Sequence, residues 1–381
     1  MTPEDCKQCK NVHSYINLSY TLLTPSQITD IAAQFQFATD GISFRTLHSG
    51  HIHDTYLLEC GSSRYVLQRV NHLVFKSPET VMENIRKATA FQLEYFRSQQ
   101  INAVIPELVM TRSGSSFLKD DSGNYWRAFT YIPDTVSFEE VQTPEQAYEA
   151  ARMFGFFVRS LQDLSAEELQ ETIPAFHNAF SRRKAFLQAI LTGLPDRIKT
   201  AATEITFFEA RGHIADKIAS LLHQKDVPLR IVHNDTKISN VLMAASTGKG
   251  VCAIDLDTVM PGTLLYDFGD MMRTFLSPAA EDETDLDKVQ IRMDVFESLA
   301  KGYWSEVGEW ITKAERDNLV FGGMLMTYIM GIRFLTDFLQ GDVYYKIYRP
   351  THNLDRSRTQ MRLLSLMEIH RGEMEAIISG L

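Results

Sequence analysis

Residues 231–240 read IVHNDTKISN: a β-branched start, then His233, Asp235, Lys237 and Asn240 within eight positions. Asp255, in the segment CAIDLDT, follows Asp235 by twenty residues, and Asp257 comes two residues later. Phosphoryl transfer to a hydroxyl asks for just such groups. An aspartate must accept the hydroxyl proton, while an asparagine five residues on and a second aspartate beyond a short hairpin hold Mg2+ between the phosphates. Asp235 and Asn240 are five apart. The interval to Asp255 accommodates a strand (NVLMA), a turn (STGKG, with two glycines) and a return strand (VCAID). Asp235 is therefore the expected base, and Asn240 and Asp255 are the expected metal ligands.

The segment YDFGD carries a spelling familiar from protein kinases, but it places Asp267 thirty-two residues after Asp235. That is too far for the same hairpin, and the preceding PGTLLY is short and opens on a strand breaker. Asp255 rather than Asp267 is taken as the metal aspartate. The segment GKG at 248–250 is not a phosphate-binding Walker loop, because Met243 stands where the first glycine belongs and no Ser or Thr follows Lys249.

Positioning these groups needs two kinds of structure. Residues 24–37 read as a short helix, and residues 42–71 alternate apolar and polar positions through two turn signals, giving three antiparallel strands. A helical pattern covers 78–99, with Ser77 as its N-cap and Pro78 at N1. The segments AVIPELVMT and YWRAFTYI read as two more strands around the turn at 121–124. Helical patterns then cover 143–161, 175–191, 200–223, 288–301, 313–339 and 354–378, interrupted by the strand–loop–strand of 229–255. The expected fold class is α+β and two-lobed. Residues 1–28 form a tail, 29–132 a small antiparallel β lobe with one helix that binds nucleotide, and 133–381 a larger helical lobe with the catalytic loop and substrate pocket. The joint between the lobes is the natural cleft.

The chain has 381 residues, a hydrophobic fraction of 44% and a net charge of −10. The acidic balance argues against a nucleic-acid partner. No run of about 18 apolar residues suggests a membrane span, and the start MTPEDCKQCKNVHSY has no apolar leader core. A cytoplasmic location and reduced thiols are expected; Cys6 and Cys9, with His13, lack a fourth zinc ligand nearby.

The strings HNDTKISNVL, AIDLDTVMPG and YDFGD together resemble the aminoglycoside phosphotransferase/choline kinase family, and within it the N-acetylhexosamine 1-kinases. SGHIHDTYLL, YVLQRVN and GIRFLTDFLQGDVYYKI are similar to the same group, so the resemblance spans about residues 44–367. It implies a protein kinase-like fold, ATP and Mg2+ as cofactors, and a small sugar as acceptor, phosphorylated at O1 of N-acetylglucosamine or N-acetylgalactosamine. Asp235 would position the anomeric hydroxyl, with His233 bracing the loop and Lys237 grouped among the catalytic residues. Asn240 and Asp255 would hold Mg2+, and Asp257 would join the metal or substrate shell. Asp267 and Asp270 would support the loop.

On the nucleotide side, LHSGHIHDTY occupies the place of a glycine-rich loop with Gly50 as its one glycine, a position equally suited to a plain turn. Arg69 in YVLQRVN is the expected basic residue of the third strand. Strand alternation lets only one of Gln68 and Arg69 face the cleft, and the pattern does not say which. Glu83, or less favourably Glu94, is its expected helix partner; a surface pair is the alternative. Phe129, Tyr131 and Ile132 form the segment whose backbone would meet adenine. On the acceptor side, Arg333 sits in an apolar helix and either pairs with Asp337 four residues on or lines the sugar pocket with Tyr344; the resemblance favours the pocket. His177 and Asn178 reach the pocket or cap a helix.

Two other acceptor classes and another chemistry remain in view. A choline- or aminoglycoside-like acceptor is cationic and wants an acidic helix where this chain has Arg333. A mucin-desulfating sulfatase would need C/S-x-P-x-R, and the nearest segment, CGSSR at 60–64, has Ser62 in place of the proline.

Overall fold

The structure is a computed structural model and describes residues 23–37, 41–47 and 52–381. Gly50, Cys6, Cys9 and His13 lie outside the described residues.

The first region opens with α1 (Pro25–Ala32), started by a reciprocal capping box between Thr24 and Gln27. Strands β1 (Ile42–Leu47), β2 (Asp54–Cys60) and β3 (Ser63–Val70) pair antiparallel, as the alternation requires. After α2 (Pro78–Ser98) come β4 (Leu118–Lys119) and β5 (Tyr125–Thr130), and the sheet order is β1-β2-β3-β5-β4. The segment 103–111, expected as a strand, makes only isolated bridges from Leu108 to Phe129 and from Phe35 to Thr111. Pro106 within it has no amide hydrogen for a ladder. The fifth strand is instead the two-residue β4, beyond the expected position. Ser77 occupies the N-cap position of α2, but its hydroxyl bonds the Thr80 hydroxyl and caps no backbone amide.

The two faces of this sheet have different fates. Tyr56, Leu58, Leu67, Trp126 and Ala128 pack with α1 in a small core of their own. Helix α2 sends Val81, Met82, Ile85 and Ala88 into the larger core shared with the helical region.

That region begins with β6 (Thr135–Val136) and α3 (Pro144–Ser160), the latter capped by the Thr143 hydroxyl. Then follow α4 (Ala179–Thr192), α5 (Pro195–Thr200), α6 (Ala202–Glu209) and α7 (His213–His223). The continuous helix expected over 200–223 is thus interrupted around Ala201 and around 210–212, where Gly212 lowers helix propensity. Next come β7 (Arg230–Val232), β8 (Val241–Ala244), β9 (Gly250–Ala253) and β10 (Met260–Gly262); β8 and β9 form the hairpin anticipated between Asp235 and Asp255. Helices α8 (Leu264–Phe275), α9 (Met293–Val307), α10 (Lys313–Asp317), α11 (Leu319–Gln340) and α12 (His352–Ser379) complete the chain.

The DFG string lies on α8, not at a strand end. Gly269 is there because α8 crosses α11 closely: a Cβ at Gly269 would come 2.1 Å from the Gly322 carbonyl oxygen. Helix α11 is long and apolar enough to cross a membrane, but 89% of its apolar window is buried inside the protein, where it packs against α4, α8 and α12.

Candidate active site

The loop between β7 and β8 is held from behind by acids on α8. The two carboxylate oxygens of Asp267 accept the backbone amides of His233 at 2.9 Å and Asn234 at 2.7 Å. Asp270 accepts the amide of Thr236 at 3.0 Å, and the Thr236 hydroxyl donates to the Asp267 carbonyl at 2.6 Å. Asn234 has φ 63°, in the left-handed region that asparagine tolerates better than most residues. Its side chain donates to the Thr258 carbonyl at 3.0 Å. Burial pushes the Asp267 carboxyl up to about 6 against the pull of these amides.

The two imidazoles near the loop are braces. His233 is fully buried between Phe154 and Phe157, and its Nε2 lies 2.9 Å from the Ile254 carbonyl. Its ring is therefore spent on fixing the residue before Asp255, the bracing place expected of it, rather than on reaching solvent. His177 Nε2 lies 2.8 Å from the Asn234 carbonyl, and burial, with Arg333 and Arg182 nearby, drives its pKa down to about 3. A neutral His177 donates a hydrogen bond there. Asn178 caps α4 through the Ser181 amide.

Asp235 projects from this frame with its side chain 27% exposed. Its Oδ2 accepts Asn240 Nδ2 at 2.9 Å and lies 3.1 Å from Lys237 Nζ. Asn240 also donates to the Asp235 carbonyl at 2.9 Å, which closes the turn. Burial would raise the Asp235 pKa, but Lys237 and His233 outweigh it and hold the carboxyl below its ordinary value. Lys237 is raised in turn, chiefly by Asp235.

Asp255, two residues past the end of β9, has φ 62° and ψ 57° and is tied back to Asn240 through the bond from the Ile254 amide to the Asn240 carbonyl, 2.8 Å. Burial, then the neighbouring Asp257 and Asp235, push its pKa up. Ligand atoms of His53, Asp255 and Asp257 all lie within 4.8 Å of one another. A half-buried carboxylate raised by two like charges fits a divalent cation, which would relieve that repulsion. Asn240 and Asp255 are the residues that would hold it.

Asp257 is less free than the sequence suggested. Both of its oxygens receive the Arg127 guanidinium, and His53 Nε2 contacts Oδ2 as well. Arg127 and Asp257 side chains are 1% and 3% exposed, so this is a buried ion pair joining β5 to the segment after β9. Although burial favours the neutral acid, Arg127 and His53 keep Asp257 ionised far below the usual range. It joins the sheet to the segment after β9 while its carboxylate stays within 4.8 Å of the ligand atoms of Asp255 and His53.

Arg127 also settles the orientation of the third strand. Arg127 Nε donates to Gln68 Oε1 at 2.9 Å, its cross-strand neighbour, so Gln68 shares the face that looks toward Asp257. Arg69 points to the opposite face, where it pairs with Asp54 and lies over Trp126. Glu83 binds Arg86 and Lys87 on its own helix and does not reach Arg69. Arg69 and Glu83 therefore do not form the expected interior pair. Arg127 was missed because its position is set by cross-strand register, which pairs 68 with 127 and which no local pattern encodes. His53 was present in the quoted SGHIHDTY, but nothing in the sequence distinguished it from His51.

In the connecting segment, the Arg64 guanidinium sits 4.4 Å from the Tyr131 ring centre, and the Tyr131 amide donates to the Arg64 carbonyl at 3.1 Å. Phe129 lies beneath Arg127 at 5.2 Å, and the Ile132 carbonyl accepts the Thr135 hydroxyl at 2.9 Å.

On the acceptor side, Arg333 does not pair with Asp337. Asp337 is consumed by the amides of Val343, Tyr344 and Tyr345 and by Asn353. The Arg333 guanidinium lies 5.3 Å from the Phe176 ring centre and 5.7 Å from that of Tyr345, the residue after the expected Tyr344. Tyr344 is 55% exposed and packs edge-on against Tyr345. Cys60 is buried in the small sheet core, with its thiol pushed up by burial.

The β-sheet region, the helical region and the braced loop between them define a kinase-like phosphotransferase fold. A sequence profile of the phosphotransferase enzyme family abbreviated APH matches residues 43–297, and the chain belongs to that family. Solved structures share the fold at low identity. A microcompartment-associated aminopropanol kinase is 16% identical with a TM-score of 0.54, covering 92% of this chain and 98% of its own. Choline kinase from Cryptosporidium parvum is 12% identical with a TM-score of 0.53, covering 94% and 99%. A spectinomycin phosphotransferase in complex with ADP and its antibiotic is 12% identical with a TM-score of 0.56, covering 91% and 99%.

Proposed function

We propose that this protein transfers the γ-phosphoryl group of ATP to O1 of an N-acetylhexosamine, N-acetylglucosamine or N-acetylgalactosamine, with Mg2+. The observation that carries the kinase reading is the division of labour at Asp235. Its Oδ2 is occupied by Asn240 and Lys237, which leaves Oδ1 to take the hydrogen bond of an incoming hydroxyl. Because Lys237 and His233 keep the carboxyl ionised, Asp235 accepts that proton and aligns the oxygen for in-line attack. Lys237 stays protonated beside it and offers positive charge where the phosphoryl group gathers negative charge. Mg2+, when bound, supplies charge neutralisation on the phosphates; Asn240 and Asp255 are the residues that would hold it. His177, Asp267 and Asp270 fix the loop so that this geometry is set before substrate arrives.

The sugar reading is supported by the resemblance of the catalytic segments and by the acceptor wall. Choline and aminoglycoside acceptors are cations, whereas this wall presents Arg333 and Arg182 around Phe176. Like charges disfavour a cationic acceptor. The test is ADP release with Mg-ATP against a panel of N-acetylhexosamines, other hexoses, choline and aminoglycosides. Release above background with N-acetylglucosamine or N-acetylgalactosamine is expected, with the 1-phosphate as product. Turnover confined to choline or an aminoglycoside would overturn the sugar assignment.

A further inference from the structure

Two guanidinium groups converge on Phe176 without a counter-ion. Arg182, on α4, donates through Nε and Nη2 to the Phe176 carbonyl at 3.2 and 3.1 Å. Arg333, on α11, lies over the ring of the same residue, and its hydrogen bond is to the thioether of Met330 at 3.3 Å. A thioether is a weak acceptor. Among the described residues no carboxylate lies within ion-pair distance of either, whereas the partly buried Arg197, Arg230 and Arg273 each have one. The one acid four residues from Arg333, Asp337, is already taken up by three backbone amides and Asn353. Beside the pair, the Tyr345 hydroxyl is buried with no partner. Placing two partly buried cations together costs free energy, and burial and Arg333 do lower the Arg182 pKa.

The cluster adjoins the catalytic loop. Phe176 precedes His177, whose ring reaches the carbonyl of Asn234, the residue before Asp235. Two arginine forks and a phenol are the donors that recognise a planar carboxylate or an ester sulfate or phosphate.

We propose that Arg182 and Arg333, with the Tyr345 hydroxyl, form an anion subsite in the acceptor pocket, and that the acceptor carries a carboxylate, sulfate or phosphate substituent. This rests on the reading of Asp235 as the base facing this wall, and it narrows the acceptor from a neutral hexosamine to an acidic one. Neutral sugars would then be poorer substrates that leave the two guanidinium groups uncompensated.

The experiment compares kcat/KM for N-acetylglucosamine and N-acetylgalactosamine with their 6-sulfates, 6-phosphates and uronic acids, using wild type, Arg182→Gln and Arg182→Lys. The three substituents separate the possible sources of negative charge. At least one acidic acceptor is expected to exceed its neutral parent by tenfold or more. That ratio should fall toward one in Arg182→Gln and be partly restored in Arg182→Lys. Equal kcat/KM for acidic and neutral acceptors overturns the proposal, as does an Arg182→Gln variant that weakens every acceptor equally, since the pair would then serve the transferred phosphoryl group. If no hexosamine of either kind is phosphorylated, the sugar assignment fails, and the subsite is judged by binding. With Mg-AMP-PNP filling the nucleotide site, sulfate should raise the melting temperature of wild type and not of Arg182→Gln. No difference between them overturns the subsite independently.

Discussion

Arg127→Met removes one half of the buried pair that links the sheet to the catalytic segments. The Arg127 and Asp257 side chains are 1% and 3% exposed, so solvent cannot take over the lost contact. Breaking such a pair leaves an uncompensated charge and costs about 3–5 kcal/mol. His53 still touches Asp257, so the lower end, about 3 kcal/mol, is expected here. At roughly 2 °C per kcal/mol for a chain of this size, the melting temperature should drop by about 6 °C. Arg127→Met/Asp257→Leu should recover part of the loss, because no lone charge remains in the joint. Arg69→Met is the comparison: Arg69 is itself 6% exposed, but Asp54 is 39% exposed and water takes over its charge when Arg69 is removed, so a smaller loss than for Arg127→Met is expected. The assay is urea unfolding of the four proteins followed by fluorescence. Equal losses for the Arg127 and Arg69 variants, or a double variant worse than Arg127→Met, would refute the placement of the buried charge on the Gln68 face.

The remaining expectations concern the loop. Asp235→Asn should lower kcat by about 10²–10⁴ with the melting temperature unchanged, since it removes the proton acceptor and keeps the shape; steady-state ADP release and calorimetry check both halves. Asp267, raised to about 6 from an ordinary 3.8, is a carboxyl that the fold prefers neutral. Its penalty is absent below about pH 4, grows between pH 4 and 6, and is constant above. Wild type should therefore gain roughly 1 kcal/mol from this group between pH 7 and 5, and Asp267→Asn should lack that gain in urea titrations at the two pH values. Chelation of divalent cations with EDTA should abolish turnover, and excess Mg2+ should restore it. Asp255→Asn should raise the Mg2+ concentration needed for half-maximal rate by tenfold or more.

The loop and hairpin that carry Asp235, Asn240 and Asp255 were legible because their logic is local. Five residues from Asp235 to Asn240, and a hairpin whose strands alternate and whose turn holds glycine, leave few alternatives for Asp255. The demotion of the DFG string also followed from length and a missing strand. What was not legible depends on register and on crossings between distant elements. Arg127 meets Asp257 because β5 pairs with β3 at 68–127, and a shift of one residue would have put Trp126 in its place. The brace at Asn234 comes from His177, fifty-seven positions earlier. The strand expected at 103–111 failed for a reason visible in the sequence, Pro106, whose weight against a favourable β pattern was underestimated.

The braces explain why these loop residues come as a set. Asn234 and Asp255 both adopt left-handed backbone, a conformation that costs a non-glycine residue about 1 kcal/mol or more. Each is held there from neighbouring positions: Asn234 by Asp267 and His177, and Asp255 through His233 on the Ile254 carbonyl. These contacts are buried, and His177, with its pKa near 3, remains neutral across any working pH. The strain at Asn234 is thus held in part by a group, His177, whose charge does not change during turnover, while Asp267 adds a pH-dependent share. In the proposed mechanism Asp235, Lys237 and Asp255 are the groups that respond to substrate and metal. A replacement behind the loop, such as His177→Ala, should accordingly lower kcat through a mispositioned Asp235 while leaving the pH profile unmoved. A shifted profile would mean that His177 exchanges protons with the reacting groups, and the separation of frame from chemistry would fail.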